Sequence, residues 1–435
     1  EHSLNRLADI DNLVLDDLTK GIPGGVQAVR LGDIGRQGWN ILREDVPLPI
    51  AVLKDSALAG NGQWMRDFLQ ASHAHIAPHG KTTMSPQLFQ RQLGDGAWAM
   101  TIATVAQLQV CRRFGISRIV MANQLVGRQA IRYVCEELRR DPQFDFYCLV
   151  DSIDGADLLA AAVREHQPGR PINVLLEGGI AGGRTGVRDL DTAVQVAQRI
   201  ANHAPALALR GVEGFEGLIH GDDPREESRN VSAFLDFLIA IARACQTQGL
   251  FADGQVILTA GGSAFYDLVI EKFTAAGIDN AFILTRSGCY LTQDSGVYSK
   301  AYARVNARSG AAQSISGDLQ PALEVWAYVQ SRPEAQRVIL TCGKRDAGHD
   351  EGLPVVRKWF RPGLHDAPLD CPSGYNLVAM NDQHAHVIVP QDTPWRVGDM
   401  VMLGVSHPCT TFDKWQILLL VDDKYDVTGA IRTFF

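Results

Sequence analysis

The chain of 435 residues is 46% hydrophobic and 21% charged, which allows two or three domains, or one large barrel with an appendage, around a sizeable core. Its net charge of −8 gives no basis for a nucleic-acid or anionic-membrane partner, and no window approaches the roughly 18 apolar residues of a transmembrane helix. The first 21 residues lack a basic-then-apolar signal peptide, and the eight scattered cysteines form no CxxC pair. We therefore expect a cytoplasmic protein with reduced thiols and a small-molecule substrate.

From about residue 74, short apolar runs alternate with longer segments of helical period. The eight predicted strands are 75–81, 98–104, 118–123, 145–151, 172–179, 210–217, 256–262 and 281–288. Amphipathic segments between them predict helices, for example at 104–115, 125–140 and 231–249. Eight βα units fit a closed parallel (β/α)₈ barrel better than an open doubly wound sheet, which is the structural alternative.

After residue 300 the pattern changes to strand-like runs separated by Gly, Pro and Asp turns, and long helical patterns disappear. This predicts a separate β domain for residues 301–435. The segment 1–46 precedes the first barrel unit without a helical partner, so we expect it to pack with the β domain. The predicted division is therefore a barrel at 47–300 and a β domain at 1–46 plus 301–435.

The stretch His75–Pro86 contains the letters GKT, which also end a phosphate-binding P-loop. A P-loop needs glycine five residues before the GK pair, but that position is His75, and Pro78 removes an N–H donor. A dinucleotide fingerprint fails as well, because 177–186 has no glycine triplet at the GxGxxG spacing. Neither nucleotide-binding motif is therefore predicted.

Phosphate binding is expected at the ends of the last two barrel strands. Those ends, 260–265 and 285–290, are rich in Gly and Ser, as ordinary βα turns also are. Lys81 falls at the end of the first strand and faces the same mouth. A lysine beside a phosphate site is arranged to form a Schiff base with pyridoxal phosphate (PLP), and its uncharged neighbours predict partial burial. A solvated lysine is the alternative.

His407 and Cys409 lie two apart in a strand-like segment, so both side chains are predicted on one face. Imidazole and thiolate suit Zn²⁺, although the spacing alone favours a buried structural pair. Further polar side chains near predicted strand ends, or in a second histidine pair, are possible substrate contacts: His79, Thr82, His220 and His384. Structural roles are the alternative for each.

An ordered string of motifs over about residues 45–420 resembles the D-serine dehydratase/D-threonine aldolase family. It includes APHGKTTMSPQLF, MANQLVG, EGGIAGGRTGV, GFEGLIHG, LTAGGS, TRSGCYLTQDSG, DAGHDEGLP, NDQHAHV and SHPCTTFDKW. These are alanine-racemase-like (fold type III) PLP enzymes, and the chain is most similar to the bacterial amino-acid or D-serine deaminase branch. The resemblance implies a PLP-binding barrel with a C-terminal β domain, assembled as a homodimer.

The resemblance also implies roles for particular residues. Lys81 would be the Schiff-base lysine, Arg184 would lie beside the cofactor ring, and zinc would bind at His407 and Cys409. The phosphate would be surrounded by Gly261, Gly262, Ser263, Ser287, Gly288 and Tyr290. The chain departs from the family pattern at Ala77, Thr83, Met84 and Glu177. The roles of Thr83 and Met84 are left open.

The predicted activity is a PLP- and zinc-dependent dehydratase (ammonia-lyase) that converts a β-hydroxy D-amino acid, D-serine first, to a 2-oxo acid and ammonia. The cysteine at position 409 underlies this preference, because aldolase relatives tend to carry His-x-Asp there with a harder divalent ion. The alternatives are a D-threonine-type aldolase that releases glycine and an aldehyde, an amino-acid racemase, and a PLP carrier without turnover.

Overall fold

The computed structural model describes residues 6–435, in which strands and helices alternate up to about residue 290 and strands predominate beyond residue 320. The strands are β1 (Val14–Leu15), β2 (Val29–Arg30), β3 (Ile50–Lys54), β4 (His75–Ile76), β5 (Met100–Ile102), β6 (Arg118–Gln124), β7 (Asp145–Val150), β8 (Ile172–Gly178), β9 (Leu207–Gly214), β10 (Val256–Ala260), β11 (Ala281–Thr285), β12 (Leu323–Glu334), β13 (Arg337–Leu340), β14 (Val355–Phe360), β15 (Leu369–Asp370), β16 (Asn376–Met380), β17 (Ala385–Ile388), β18 (Met400–Gly404), β19 (Ile417–Val421) and β20 (Val427–Arg432). The helices are α1 (Leu7–Asp11), α2 (Asp55–Ser72), α3 (Pro86–Gly94), α4 (Val105–Arg113), α5 (Arg128–Arg140), α6 (Ile153–His166), α7 (Leu190–Asn202), α8 (Pro224–Thr247), α9 (Tyr266–Ala275), α10 (Val297–Arg308), α11 (Gly310–Gln313) and α12 (Cys409–Phe412). None of the helices between residues 6 and 435 combines the length and apolarity that a membrane-spanning helix requires.

Strands β4 to β11 form an eight-stranded parallel sheet in the order β4-β11-β10-β9-β8-β7-β6-β5. The two ends of this sheet meet, because the segment from β4 onward also bonds to the β5 side. Trp98 N donates to Ile76 O at 2.8 Å, and an isolated parallel bridge pairs His79 with Thr101. The eight predicted barrel strands are confirmed, and the sheet is a closed barrel.

Local sequence explains where several of the barrel helices begin. Several helices begin after a short polar residue whose side chain accepts a hydrogen bond from the first turn, as N-cap residues do. Thr104 caps α4, Ser152 caps α6, Asp189 caps α7 and Asp223 caps α8. Pro224 follows the last of these at a position where its missing N–H costs nothing.

The barrel interior is filled by alternate residues of its strands, as a two-residue period requires. Tyr147 and Leu149 of β7, together with Phe282 and Leu284 of β11, belong to one buried cluster. Trp98 packs against the rings of Tyr147 and Phe282 at 5.6 and 5.0 Å between centroids. This filled interior leaves functional side chains to the strand ends.

A second, mostly antiparallel sheet contains β15-β14-β18-β12-β13-β17-β16. Strand β3 joins it through β12, and β19 with β20 joins through β3. The preceding segment packs on the same sheet, since Val427 N donates to Trp39 O and Ile41 N to Tyr425 O. Residues 1–5, part of the predicted 1–46 segment, lie outside the described residues.

Two details differ from the expected division. The sequence predicts residues 50–54 in the barrel, but these residues form β3, which pairs with β12 and β19 of the second sheet. Helical structure also continues beyond residue 300, because α10 runs to Arg308. Both differences arise at the junction of the sheets, where the chain passes from one to the other before and after the barrel.

Helix α2 connects the two sheets through a buried asparagine. Asn61 is fully buried, and its amide nitrogen donates to Leu291 O and Gln320 O at 2.8 Å. Its amide oxygen accepts from Gln320 N at 2.7 Å. These bonds join α2 to the end of the barrel and to the start of β12.

We expect Asn61→Ala to lower the free energy of unfolding by about 2–4 kcal/mol, because it leaves buried backbone groups without partners. The urea midpoint measures this loss. Asn202→Ala, at the exposed end of α7, is the matched control and should change the midpoint little. Equal midpoints for both variants would contradict the connecting role of Asn61.

Candidate active site

The lysine turn, Gly80–Thr82, is a 3₁₀ helix that begins where the first barrel strand ends. Its approach is fixed, since His79 N donates to Arg286 O at 3.1 Å. Lys81 is exposed, whereas Gly80 and Thr82 on either side are buried. The predicted partial burial of Lys81 is therefore wrong: its two neighbours face the protein, and the lysine between them faces solvent.

His79 is a neutral imidazole with one defined tautomer. Its Nδ1 accepts a hydrogen bond from Lys81 N at 3.3 Å, so the ring proton lies on Nε2. Burial, followed by the positive charges of Lys81, Arg286 and Arg184, holds the pKa of His79 well below its usual value of 6.5. The positive charges of Lys81 and Arg184 therefore both act on this imidazole.

Two glycine-rich loops follow β10 and β11 beside the lysine turn. They carry the predicted phosphate residues Gly261, Gly262, Ser263, Ser287 and Gly288. Ser287 Oγ donates to Gly262 O at 2.8 Å and so ties one loop to the other. Within residues 6–435, the backbone N–H groups of Ser263, Ser287 and Gly288 have no hydrogen-bond acceptor. Such a set of N–H groups suits an anion, so the loops fit a phosphate group.

Close backbone contacts explain two of these glycines. A Cβ on Gly288 would lie 2.3 Å from the carbonyl oxygen of His79. A Cβ on Gly261 would lie 2.7 Å from the Cβ of Arg286. Only glycine lets Gly288 approach the residue before the lysine turn, and lets Gly261 approach the loop after β11, this closely.

Three charged side chains that the sequence interpretation missed lie buried beneath the loops. Arg286 donates to Glu213 and, at 2.8 Å, to Thr259 Oγ1, while Glu216 Oε1 accepts from Gly262 N at 3.0 Å. Burial raises the pKa of Glu216, and it raises that of Glu213 despite the opposing charge of Arg286. Burial thus disfavours the charged form of Glu216 beside the loops. Glu213 and Glu216 stand at the end of an apolar strand, and this pattern could have identified the two carboxylates in the sequence.

Arg184 lies on the rim of the mouth. It is exposed, and its guanidinium stands 4.4 Å from the centroid of the Phe215 ring. Its positive charge is also one of those that lower the pKa of His79. Its contact with a cofactor ring stays a prediction.

Tyr290 does not line the glycine loops. It is buried in the main hydrophobic core, with Gln92 of α3 beside its hydroxyl. Burial raises the pKa of this hydroxyl. The 3₁₀ turn Cys289–Leu291 carries this residue, and the phosphate role predicted for Tyr290 stays a prediction.

Two of the predicted substrate contacts, His220 and His384, lie in exposed loops. His220 is exposed in the loop before α8, where its carbonyl accepts from Asn230. His384 is exposed in the β16–β17 hairpin, where its carbonyl accepts from Asn381 N. Among residues 6–435, no hydrogen bond joins either imidazole to another group. Their substrate contacts stay predictions.

The lysine turn touches the predicted metal residues directly. Thr82, only 2% exposed, places its hydroxyl 3.3 Å from Cys409 Sγ and 3.6 Å from Cys289 Sγ. The two sulfurs lie 3.8 Å apart. Thr82 was predicted as a substrate contact, and Cys289 was missed. The thiol site, as we call Thr82, Cys289, His407 and Cys409, thus adjoins Lys81.

His407 and Cys409 do not lie in a strand, contrary to expectation. The segment after β18 is a loop, and Cys409 begins the short helix α12 behind Pro408. His407 Nδ1 is 2.9 Å from Asp350 Oδ2, a partner that leaves Nε2 available to a metal. No three His, Cys, Asp or Glu side chains of residues 6–435 stand arranged as a complete metal site. The donors nevertheless fit a soft metal such as zinc.

Comparison with known proteins covers both sheets. The model described as "Alanine racemase, N-terminal domain" matches residues 54–264, and "Putative serine dehydratase domain" matches residues 322–421. D-threonine aldolase of Arthrobacter sp is 26% identical over 401 residues, which are 92% of this chain and 94% of that protein.

Solved structures show the same fold over nearly the whole chain. D-threonine aldolase from Filomicrobium marinum gives a TM-score of 0.73 at 22% identity and covers 91% of this chain and 97% of its own. D-threo-3-hydroxyaspartate dehydratase from Delftia sp. gives 0.70 at 19%, with 91% and 99% covered. Alanine variants of a D-threo-3-hydroxyaspartate dehydratase at a histidine and, two positions on, a cysteine are also similar, the latter metal-free. The predicted fold, a barrel with a C-terminal β domain, is confirmed.

His79 should stay neutral as the pH falls through 6.5 and take up a proton only at a lower pH. Because the unfolded chain is protonated near 6.5, His79 reduces stability as the pH falls from 6.5 towards its lowered pKa. Imidazole ¹⁵N NMR, assigned with His79→Gln, should report an Nε2–H tautomer at pH 6. A midpoint at or above 6.5 would contradict this.

Gly288→Ala should weaken PLP binding by about 5- to 150-fold, since a misplaced methyl costs about 1–3 kcal/mol. The expected cause is displacement of the His79 carbonyl. Fluorescence titration of the apoprotein with PLP measures the change. Gly94→Ala, whose Cβ would enter open space, is the control. Wild-type affinity in Gly288→Ala would show that the close contact does not matter.

Proposed function

From the membership of this chain in the D-serine dehydratase/D-threonine aldolase family of alanine-racemase-like PLP enzymes, we propose that it is a PLP-dependent lyase acting on a β-hydroxy D-amino acid. The observation that carries the proposal is the 3.3 Å contact between Thr82 Oγ1 and Cys409 Sγ. It joins the residue after Lys81 to the loop of His407. A β-hydroxy amino acid carries its amine and hydroxyl on adjacent carbons, so one substrate could reach both.

The cofactor would be held by the lysine and the loops. Lys81 would bond covalently to its aldehyde, the free N–H groups of Ser263, Ser287 and Gly288 would bind its phosphate, and Arg184 would lie near its ring. When bound, PLP supplies an electron sink for charge that develops at the α-carbon. His79, neutral and fixed by the Lys81 backbone, would donate from Nε2.

Retro-aldol cleavage of a D-threonine-type substrate is the reaction we place first. The D-threonine aldolase of Arthrobacter sp supports it, because its similarity extends over 92% of this chain. The β-hydroxyl must lose its proton, the Cα–Cβ bond breaks with its electron pair left at Cα, and an aldehyde departs. His407 would hold the proposed metal beside this hydroxyl through Nε2, because Asp350 accepts from its Nδ1.

Dehydration is the second candidate, and the cysteine at position 409 favours it. In this reaction Lys81 takes the α-proton and the β-hydroxyl leaves as water, which yields a 2-oxo acid and ammonia after hydrolysis. The similar D-threo-3-hydroxyaspartate dehydratase has variants at a histidine and a cysteine with the spacing of His407 and Cys409. D-serine, the substrate predicted first, has no specific support among the relatives.

A divalent metal, zinc first, is proposed at His407 and Cys409. When bound, it supplies a Lewis acid for the substrate hydroxyl. A homodimer is also proposed, and sedimentation equilibrium of the purified protein tests it.

Product analysis distinguishes the reactions. We expect glycine and acetaldehyde from D-threonine; a 2-oxo acid and ammonia from D-threo-3-hydroxyaspartate or D-serine would instead establish a dehydratase. Formation of an L-isomer would establish a racemase, and no turnover a carrier. Loss of activity in EDTA, restored by zinc, tests the metal.

Lys81→Ala should lower kcat by roughly 10³-fold or more and abolish covalent attachment of PLP after borohydride reduction. Lys300→Ala, an exposed lysine of α10, is the matched control and should retain both properties. Retention of the reduced cofactor on Lys81→Ala would overturn the role of this lysine.

A further inference from the structure

We infer that Cys289 is a third protein ligand at the thiol site, so that the metal is held by two thiolates and one imidazole. The inference rests on the metal site proposed for His407 and Cys409 and adds a residue from a different part of the chain. Cys289 comes from the loop after the last barrel strand, whereas Cys409 comes from the second sheet. The metal would therefore bridge the two halves of the protein at the active-site mouth.

The distance between the two sulfurs is the first observation. Cys289 Sγ and Cys409 Sγ are 3.8 Å apart. Two thiolates on a tetrahedral zinc, each at about 2.3 Å, are separated by about 3.8 Å. A disulfide would instead require about 2.05 Å. A thiol–thiol hydrogen bond also fits 3.8 Å, and the experiment below separates it from metal binding.

The surroundings of the sulfurs are the second observation. The hydroxyl of Thr82 contacts both sulfurs, and Tyr298 lies near Cys289. The carboxylate of Asp294 accepts from Tyr298 N at 3.0 Å and so fixes the start of α10 that carries this tyrosine. Hydrogen bonds to thiolates are typical of the groups that support metal ligands.

Other cysteines of the barrel have no such setting. Cys111, Cys148 and Cys245 are buried in a hydrophobic cluster, where cysteine behaves as a small apolar residue. Cys289 is equally buried but has sulfur and oxygen neighbours instead of apolar ones alone. The polar setting is thus specific to the mouth and is not a general feature of buried cysteines in this fold.

The His407 imidazole must move before His407, Cys289 and Cys409 can bind one metal ion together. Among residues 6–435, no three potential ligands converge as the side chains stand, so the His407 ring has to turn about its Asp350 hydrogen bond towards the sulfurs. Both thiols release their protons to solvent on binding, and two thiolates balance the charge of a divalent ion in this buried place. A fourth position stays open for a substrate hydroxyl.

Zinc K-edge X-ray absorption of the zinc-loaded holoenzyme tests the inference, since it counts sulfur neighbours without interference from the cofactor's absorbance. We expect two sulfurs per zinc in the wild type and one in Cys289→Ser, with zinc affinity at least about 10-fold weaker. Cys371→Ser is the matched control, because Cys371 is a partly exposed cysteine of the second sheet, and should retain two.

One sulfur in the wild type would overturn the role of Cys289 while leaving the site at Cys409 intact. The sulfur count of the wild type needs no variant, so it tests the role of Cys289 even if Cys289→Ser fails to fold. Zinc that keeps two sulfurs in Cys289→Ser overturns it as well. A wild type that binds no zinc, or zinc binding unchanged in Cys409→Ser, would overturn the metal site itself.

Discussion

Closure of the barrel beside β4 is the constraint on which the active-site mouth depends. The strand itself has two residues, but the segment after it bonds on both sides: Ala77 N donates to Thr285 O at 2.8 Å, and Pro78 O accepts from Thr101 N at 2.9 Å. Proline fits here because only its carbonyl is used. The backbone is therefore fixed up to the residue before the lysine turn, and Lys81 emerges at a defined place between the first and last strands.

Below that turn, the barrel places polar groups where its interior would otherwise be apolar. Glu213 Oε2, Glu216 Oε2 and Arg286 Nε are buried, and each lacks a hydrogen-bond partner within residues 6–435. Each such atom costs about 1–3 kcal/mol, so the packed apolar interior underneath must offset them. Because the packed interior already holds these polar groups in place, they need no rearrangement to meet a charged ligand. The protein loses some stability, and the binding site is preorganised in return.

The sequence predicts the barrel well because its strands are buried on both faces, so each is a continuous apolar run between turns. Lys81 and the glycine loops follow from position alone, since strand ends face one mouth. Contacts between distant segments leave no local pattern. Residues 50–54 are as apolar as a barrel strand, and only their pairing with β12 assigns them to the second sheet. In the sequence, Cys289 likewise looks like a small buried residue, and Tyr290 beside it looks like a polar one. The structure shows that their turn directs Cys289 towards Cys409 and Tyr290 into the core.

Which bond breaks is decided on the β-carbon side of the site, where the two candidate reactions move protons in opposite directions. Retro-aldol cleavage removes a proton from the hydroxyl, whereas dehydration adds one so that water can leave. A negative charge beside the hydroxyl opposes the first step, because like charges disfavour ionisation. With the proposed metal bound, a second thiolate at Cys289, 3.8 Å from Cys409, would neutralise more of the metal's positive charge, leave less of it to stabilise an ionised hydroxyl, and so favour dehydration. The similarity to D-threonine aldolase points the other way. Under the proposals above, the binding of Cys289 to the metal as a thiolate is thus the variable that would separate the two reactions within one shared scaffold.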